Sequence, residues 1–304
     1  MTNSKTKGSD KVLLVITGPT AVGKTGLGVQ LAKKLQTEII SADSRQFYQE
    51  LKIGTATPRP EELAEVKHHF VGHLTLSDSY NVSIFQEQAL GVISKIFDKS
   101  NYCILLGGSG LYIDAIWRGF DEMPPADENI RNQIDKVYQK EGLPGLRLWL
   151  KQIDPDFYLQ LDPANPNRIK RAIEVTLSTG IPYSRLRTNT FAKRPFSMKF
   201  VVLDRPKEEL FKRINHRVDQ MVDEGLIEEA LGFFKFRQFN ALKTVGYREL
   251  FDWLSGCYSL EMALEKIKTH TRRYAKRQKT WFRRYPDALW VHPENIQQIL
   301  NFIK

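Results

Sequence analysis

Apolar positions fall into two rhythms along the chain. Lys11 to Thr17 (KVLLVIT) is a continuous apolar run of strand length, while Gly26 to Leu35 (GLGVQLAKKL) repeats its apolar residues at helical spacing. Glu38 to Ala42 predicts a second strand ending at Asp43, Ile84 to Asp98 a helix, and Tyr102 to Leu106 a third strand running into Gly107-Gly108-Ser109-Gly110. Strands alternating with helices imply a parallel sheet flanked by helices, and ligands of such sheets collect beyond the carboxyl ends of the strands. Asp43, Ser109 and the turn after the first strand are therefore expected in one cleft.

The rhythm changes from Asp121 to about Met198. Eight of the chain's 14 prolines fall there, and the segments between them read as short helices. This predicts an all-helical domain (121–198) inserted into an α/β core made of 11–120 and 199–285. Val201, Val202 and Leu203 restore a strand, Asp204-Arg205-Pro206 turns the chain, and a long amphipathic helix is expected from about Lys207 to Phe234. Residues 1–10 (MTNSKTKGSD) read as a disordered tail and 286–304 as a C-terminal tail.

The turn after the first strand carries chemistry. Gly18-Pro19-Thr20-Ala21-Val22-Gly23-Lys24-Thr25 is a complete G-x-x-x-x-G-K-[ST] phosphate loop between a predicted strand and a predicted helix. Its glycines let successive amides turn around an anion, the helix N-terminus adds its dipole, Lys24 supplies a point charge and Thr25 a hydroxyl for Mg²⁺. The fold class is therefore α/β with a P-loop NTPase-like sheet. Nucleotide-binding P-loop enzymes usually place a metal-holding carboxylate at the end of an apolar strand; here Leu106 is followed by glycine. Asp43 is the best-placed carboxylate, able either to bind Mg²⁺ or to accept a proton from a nucleophile.

Composition narrows the class. A 304-residue chain of 41% hydrophobic content can build a full core, and no apolar run approaches the roughly 18 residues of a membrane span. Two cysteines, Cys103 and Cys257, offer neither a disulfide framework nor a C-x-x-C metal site, and a cytoplasmic protein is expected. The net charge of +10 points to a polyanionic partner. Between Glu265 and Asp287 no acid occurs, yet Lys268, Arg272, Arg273, Lys276, Arg277, Lys279, Arg283 and Arg284 all do. On a helix Arg273, Arg277 and Arg284 would share one face, beside a stripe of Tyr274, Gln278, Trp281 and Tyr285, an arrangement suited to nucleic acid.

Six motifs then carry a resemblance: GPTAVGKT (18–25), SADSRQFYQELKIGTATP (41–58), LLGGSGLYIDA (105–115), NRIKRAIEV (167–175), TVGYREL (244–250) and KRQKTWFR (276–283). Their order resembles that of the tRNA dimethylallyltransferases over about residues 11 to 285. The resemblance implies transfer of a dimethylallyl group from its diphosphate to the exocyclic amine of the adenosine 3′ of the anticodon. It implies that Asp43 takes the amine's proton, that residues 18–25 with Mg²⁺ on Thr25 hold the diphosphate, and that Arg217 lies near it. It also implies tRNA contacts from Asp43, Ser44, Arg45 and Gln46; from Ser109 and Arg131; from Asn167, Arg168, Ile169, Lys170 and Arg171; from Lys243, Thr244, Val245, Gly246, Tyr247 and Arg248; and from Lys276, Arg277, Gln278, Lys279, Thr280, Trp281, Phe282 and Arg283. Partners are then dimethylallyl diphosphate and the anticodon stem-loop, with Mg²⁺ as cofactor and the protein a monomer.

Competing readings are an adenylate isopentenyltransferase, which needs neither the insertion nor the basic segment, a nucleotide or small-molecule kinase, and a nucleic-acid-binding NTPase. His68, His69 and His73 lack a third ligand in sequence and read as structural loop histidines.

Overall fold

The computed structural model describes residues 11–121, 123–125, 127–162, 164–188 and 191–304. The expected disordered tail lies outside the described residues. The chain forms two compact units: Arg118–Ala192, and the residues before and after it.

The larger unit holds strands β1 (Val12–Thr17), β2 (Ile39–Ser41), β3 (His68–His69), β4 (Tyr102–Leu106), β5 (Ser197–Leu203) and β6 (Leu289–Val291). Before the insertion its helices are α1 (Lys24–Leu35), α2 (Pro60–Glu65), α3 (Val82–Phe97) and α4 (Gly110–Arg118). The second unit holds α5 (Glu128–Ile153), α6 (Pro155–Gln160), α7 (Pro166–Thr179) and α8 (Tyr183–Leu186). After it come α9 (Lys207–Asp223), α10 (Leu226–Phe233), α11 (Tyr247–Leu254), α12 (Leu260–Phe282) and α13 (Ile296–Ile303).

The six strands form one sheet in the order β3-β2-β4-β1-β5-β6, every pairing parallel. Helices cover both faces, so β1, β4 and β5 each contain a continuous apolar run. Their side chains alternate between two cores: Leu13, Val15, Cys103, Leu105, Phe200 and Val202 enter one, and Leu14, Ile16, Ile104, Leu106, Val201 and Leu203 the other. Among the described residues no helix is long and apolar enough to cross a membrane.

The C-terminal segment 286–304 is not a tail. Leu289–Val291 pairs with β5 as an edge strand, and α13 buries Ile299 and Ile303 in the second core. Ile296, Ile299 and Ile303 stand at i, i+3 and i+7, which gives that short helix one apolar face. The helix expected over 207–234 is two: Gly225, at φ 101°, separates α9 from α10, a left-handed turn that glycine adopts without strain. His68 and His69 are not in a loop but form the edge strand β3. His69 Nε2 lies 2.6 Å from Glu38 Oε2, and His73 packs edge-on against the rings of Phe47 and Tyr80.

The second unit starts and ends a few residues earlier than the sequence pattern suggests, because α4 runs to Arg118 and β5 begins at Ser197. Its helices enclose Ile134, Leu146, Leu150, Phe157, Ile169 and Ile173. Buried Asp154 caps α6 through the Phe157 amide and accepts from the Ser184 amide and hydroxyl, both at 2.7 Å, fastening α8. The unit's two ends meet, the Ala192 amide donating to the Arg118 carbonyl at 2.8 Å. In the larger unit, the Arg194 guanidinium bonds the Ala115 and Ile116 carbonyls at 3.0 and 2.8 Å.

Candidate active site

The phosphate loop joins β1 to α1 in a conformation that depends on its glycines. Gly18 has φ 149°, and a Cβ there would meet the Leu203 carbonyl at 2.5 Å. Gly23 (φ 107°) and Ala21 (φ 63°) complete the turn. Two arginines hold two of its carbonyls: Arg205 donates to Val22 O and Arg213 to Ala21 O, each at 2.9 Å. Arg205 is itself fixed by Glu209 and by His292 at 3.1 Å. With these carbonyls engaged, and with no side chain capping α1, the loop leaves the amides at the start of α1 for an anion.

Lys24 Nζ donates to the carbonyls of Gly18 (3.0 Å) and Pro19 (2.9 Å). Its pKa is lowered to about 8: burial is the main cause, Arg217 adds to it, and the Asp43 charge opposes both. Asp43 and Arg217 therefore both lie within electrostatic reach of Lys24. Arg217, one helical turn beyond Arg213 on α9, is not a solvated surface cation: burial lowers its pKa, and Asp43 opposes that shift.

The ends of β2 and β4 close the cleft. Gly107 lies so near that a Cβ would sit 2.2 Å from Ala42 O, while Thr17 Oγ1 donates to Gly107 O at 2.8 Å. Ser109 Oγ accepts from the Ser44 amide at 3.0 Å. The Asp43 carboxylate accepts from the Arg45 amide at 3.2 Å. Asp43, Ser109 and the loop thus converge as the strand pattern implies. Arg45 and Gln46 are anchored to protein: Arg45 Nη1 bonds Asn240 O at 2.8 Å, and Gln46 Nε2 bonds Ala56 O at 2.9 Å.

Helix α12 presents two faces. Outward, Arg273, Lys276, Arg277 and Arg283 are exposed and have no acidic partner among the described residues. Three of the other cations pair with acids from elsewhere, Lys268 with Asp219 (2.8 Å), Lys279 with Asp204 (2.8 Å) and Arg284 with Asp114 (3.3 Å), while Arg272 bonds the neutral Asn215 and Thr269. Arg284 lies past the end of the helix and stacks on Trp281 at 4.0 Å, so it does not share a face with Arg273 and Arg277. Inward, Phe282 is fully buried and Gln278 is only 5% exposed. Gln278 Oε1 accepts from the Thr20 amide at 2.9 Å, and its Nε2 donates to Gly108 O at 3.0 Å.

Several other residues expected to touch nucleic acid are interior. Ile169 and Tyr247 are fully buried, and Gly246, at φ 103°, starts α11. The Tyr247 hydroxyl bonds Glu229, whose carboxylate also takes the amides of Lys52, Ile53 and Gly54 at 2.9–3.0 Å. These side chains are packing and anchoring elements. Lys243 and Arg248 are exposed, and Thr244 and Val245 partly so. Arg248 is oriented by Glu249, which is 1% exposed. Burial alone would raise the Glu249 pKa, but hydrogen bonds from His270 (2.6 Å), the Gly246 amide and Arg248 outweigh it and hold the carboxyl below its usual range.

In the second unit, Asn167 and Arg168 are exposed at the start of α7, and Lys170 pairs with Asp135. Arg131 and Arg171 converge on Glu174, at 2.7 and 2.9 Å, and Glu174 is 3% exposed. Sequence reasoning missed Glu174, Glu229, Glu249, Arg205 and Arg213. The only available signals were the i, i+3 spacing of Arg171 and Glu174 and the adjacency of Arg248 and Glu249.

Comparison with known proteins agrees with this architecture. The IPP transferase family model matches residues 46–285. A Bacteroides fragilis protein named tRNA dimethylallyltransferase 1 is 44% identical over 294 residues, 97% of this chain and 98% of that protein. The crystal structure of a full-length tRNA isopentenylpyrophosphate transferase from Bacillus halodurans superposes with a TM-score of 0.71 at 37% identity, covering 97% of this chain and 95% of that one. A eukaryotic dimethylallyltransferase acting on tRNA gives a TM-score of 0.77 at 26% identity, covering 96% of this chain and 76% of its own. On the strength of the family match and of relatives similar over nearly its whole length, the chain belongs to the IPP transferase family, that of the tRNA dimethylallyltransferases.

Proposed function

We propose that this transferase moves a dimethylallyl group from dimethylallyl diphosphate to N6 of the adenosine immediately 3′ of the anticodon in tRNA. The observation that carries the reading is the grouping of Lys24, Arg217 and the strand-end carboxylate Asp43, which acts on both cations, beside a phosphate loop whose neighbouring strand β4 is followed by glycine. Two cations and a row of amides suit a departing diphosphate, and one carboxylate suits a proton acceptor.

The chemistry balances as follows. The allylic C–O bond breaks and its electron pair leaves with the diphosphate; the loop amides, Lys24 and Arg217 stabilise that growing charge. The adenine N6 lone pair forms the new C–N bond, and Asp43 accepts the N6 proton. Lys24 has to exchange its two loop carbonyls for diphosphate oxygens. The Thr25 hydroxyl has no protein partner among the described residues, and a lone hydroxyl beside diphosphate oxygens is a donor set that fits Mg²⁺. When bound, the ion would add positive charge to the diphosphate.

An adenine stacked in an anticodon loop cannot reach a cleft, so the base must be extruded. Exposed Arg273, Lys276 and Arg277 on α12 and Arg283 just past its end, with Lys243 and Arg248, supply cations for the loop's phosphates. In the second unit, Arg168 and the Arg131–Arg171 pair do the same. The proposed setting is a cytoplasmic monomer acting on one anticodon stem-loop.

The test is incubation with Mg²⁺, radiolabelled dimethylallyl diphosphate and either unmodified tRNA or AMP, followed by nucleoside analysis. Label in a prenylated adenosine from tRNA alone is expected. Label in AMP would make the protein an adenylate prenyltransferase, and label in neither would leave a kinase or NTPase to be sought by ATP consumption.

A further inference from the structure

We propose that Gln278 is a positioning residue of the diphosphate loop rather than a contact to nucleic acid: it holds the first half of the loop in place while Lys24 changes partners. The inference rests on the donor-site reading above. It begins from the direction in which the side chain points. Its neighbour Arg277 is exposed on the outer face of α12, whereas Gln278 is 5% exposed and turned toward the loop.

A carboxamide accepts through one atom and donates through another, so it can bridge two segments of opposite need. Gln278 does this across a large sequence separation, taking the Thr20 N–H at 2.9 Å and giving to the Gly108 carbonyl at 3.0 Å. A carboxylate could not donate to Gly108, and an ammonium could not accept from Thr20. The geometry also explains Gly108. A Cβ there would lie 2.5 Å from Gln278 Nε2 and 3.7 Å from Lys24 Nζ, so carboxamide, glycine and ammonium form one contact layer in which a side chain at 108 would push the carboxamide aside.

The two side chains hold adjacent parts of the loop. Lys24 grips the carbonyls of Gly18 and Pro19; Gln278 grips the next amide, that of Thr20. When a diphosphate draws Lys24 away, those carbonyls lose their donor. The Gln278 bonds involve no group that must move, so they keep residues 18–20 in register with the 107–109 turn.

The experiment uses the full chain with Gln278→Met, which keeps volume without the bonds, and Gln278→Glu, which keeps only the acceptor. A Gly108→Ala variant displaces the carboxamide independently. Inorganic pyrophosphate binding is measured by calorimetry, transfer kinetics by varying donor and tRNA separately, and folding by circular dichroism. Leaving the Thr20 and Gly108 groups unpaired predicts a loss of pyrophosphate affinity of about ten- to hundredfold, with a matching rise in donor KM and an unchanged tRNA KM. Gln278→Glu should fall between Gln278→Met and wild type in pH ranges where its carboxyl is protonated and can donate again. A raised tRNA KM with normal pyrophosphate affinity would overturn the inference and make Gln278 a nucleic-acid contact. If wild type transfers no dimethylallyl group yet its pyrophosphate affinity depends on Gln278, the functional reading fails and the positioning role stands.

Discussion

Asp43 raises the pKa of Lys24 against the burial that lowers it, so the carboxylate at the end of β2 and the ammonium of the phosphate loop share one electrostatic field. In the proposed reaction that field joins the proton acceptor to the cation on the diphosphate.

Asp43→Ala should therefore have two effects. Single-turnover transfer should fall by about two to four powers of ten, the usual worth of a general base, while tRNA binding changes little. Near-normal turnover would remove Asp43 from the mechanism.

The pH dependence follows from Lys24. Below about 8 its ammonium is charged in the free protein; as pH rises through about 8 that charge is lost, so pyrophosphate affinity should fall on the alkaline side. Lys24→Arg keeps the charge at all accessible pH and corrects for the titration of pyrophosphate itself. The ratio of wild-type to variant affinity should decline above pH 8, by up to about tenfold per unit. In Asp43→Ala the decline should begin at lower pH, because the charge that raises the Lys24 pKa is gone. A ratio independent of pH would show that Lys24 does not meet the diphosphate as a cation.

The α12 arginines without an acidic partner are separable from Arg284, which lies past the helix end and pairs with Asp114. Arg273→Gln with Arg277→Gln should weaken tRNA binding and flatten its logarithmic salt slope by about 1.4 to 1.8, that is, about 0.7 to 0.9 for each phosphate no longer neutralised. Arg284→Gln, which removes the partner of Asp114, should leave that slope unchanged. Equal slopes in all three proteins would make the outer face of α12 a solvated surface.

Glu174→Gln tests the second unit. Its carboxylate gathers Arg131 and Arg171 in a buried position, and hydrogen bonds to charged groups are worth about 1.5 to 3 kcal/mol. Denaturant unfolding should show a loss of about 2 kcal/mol. No loss would mean that the two arginines are held by other contacts.

What the sequence revealed were the features that follow from local pattern. The phosphate loop, the apolar strands beside it and the strand-end positions of Asp43 and Ser109 all follow from periodicity and glycine placement. Two-residue β3 and three-residue β6 were too short to show a period, and only pairing with neighbours makes them strands. The break at Gly225 was masked because apolar residues keep helical spacing across it. Gln278 divided the two lines of reasoning: helical spacing set it in the stripe with Trp281 and Tyr285, the resemblance implied a tRNA contact, and only the loop facing it shows what the amide bonds. Glu174 and Glu249 went unnoticed because an acid beside arginines shows nothing unusual until its burial is known.

The bond between the Ala192 amide and the Arg118 carbonyl, with Arg194 clasping the end of α4, brings the outgoing and returning chain through a single doorway. From the standpoint of the sheet, everything between is an excursion that begins and finishes at one place. With entry and exit pinned at that place, a change of length within Arg118–Ala192 is expected to leave the pairing of β1 with β5 in register.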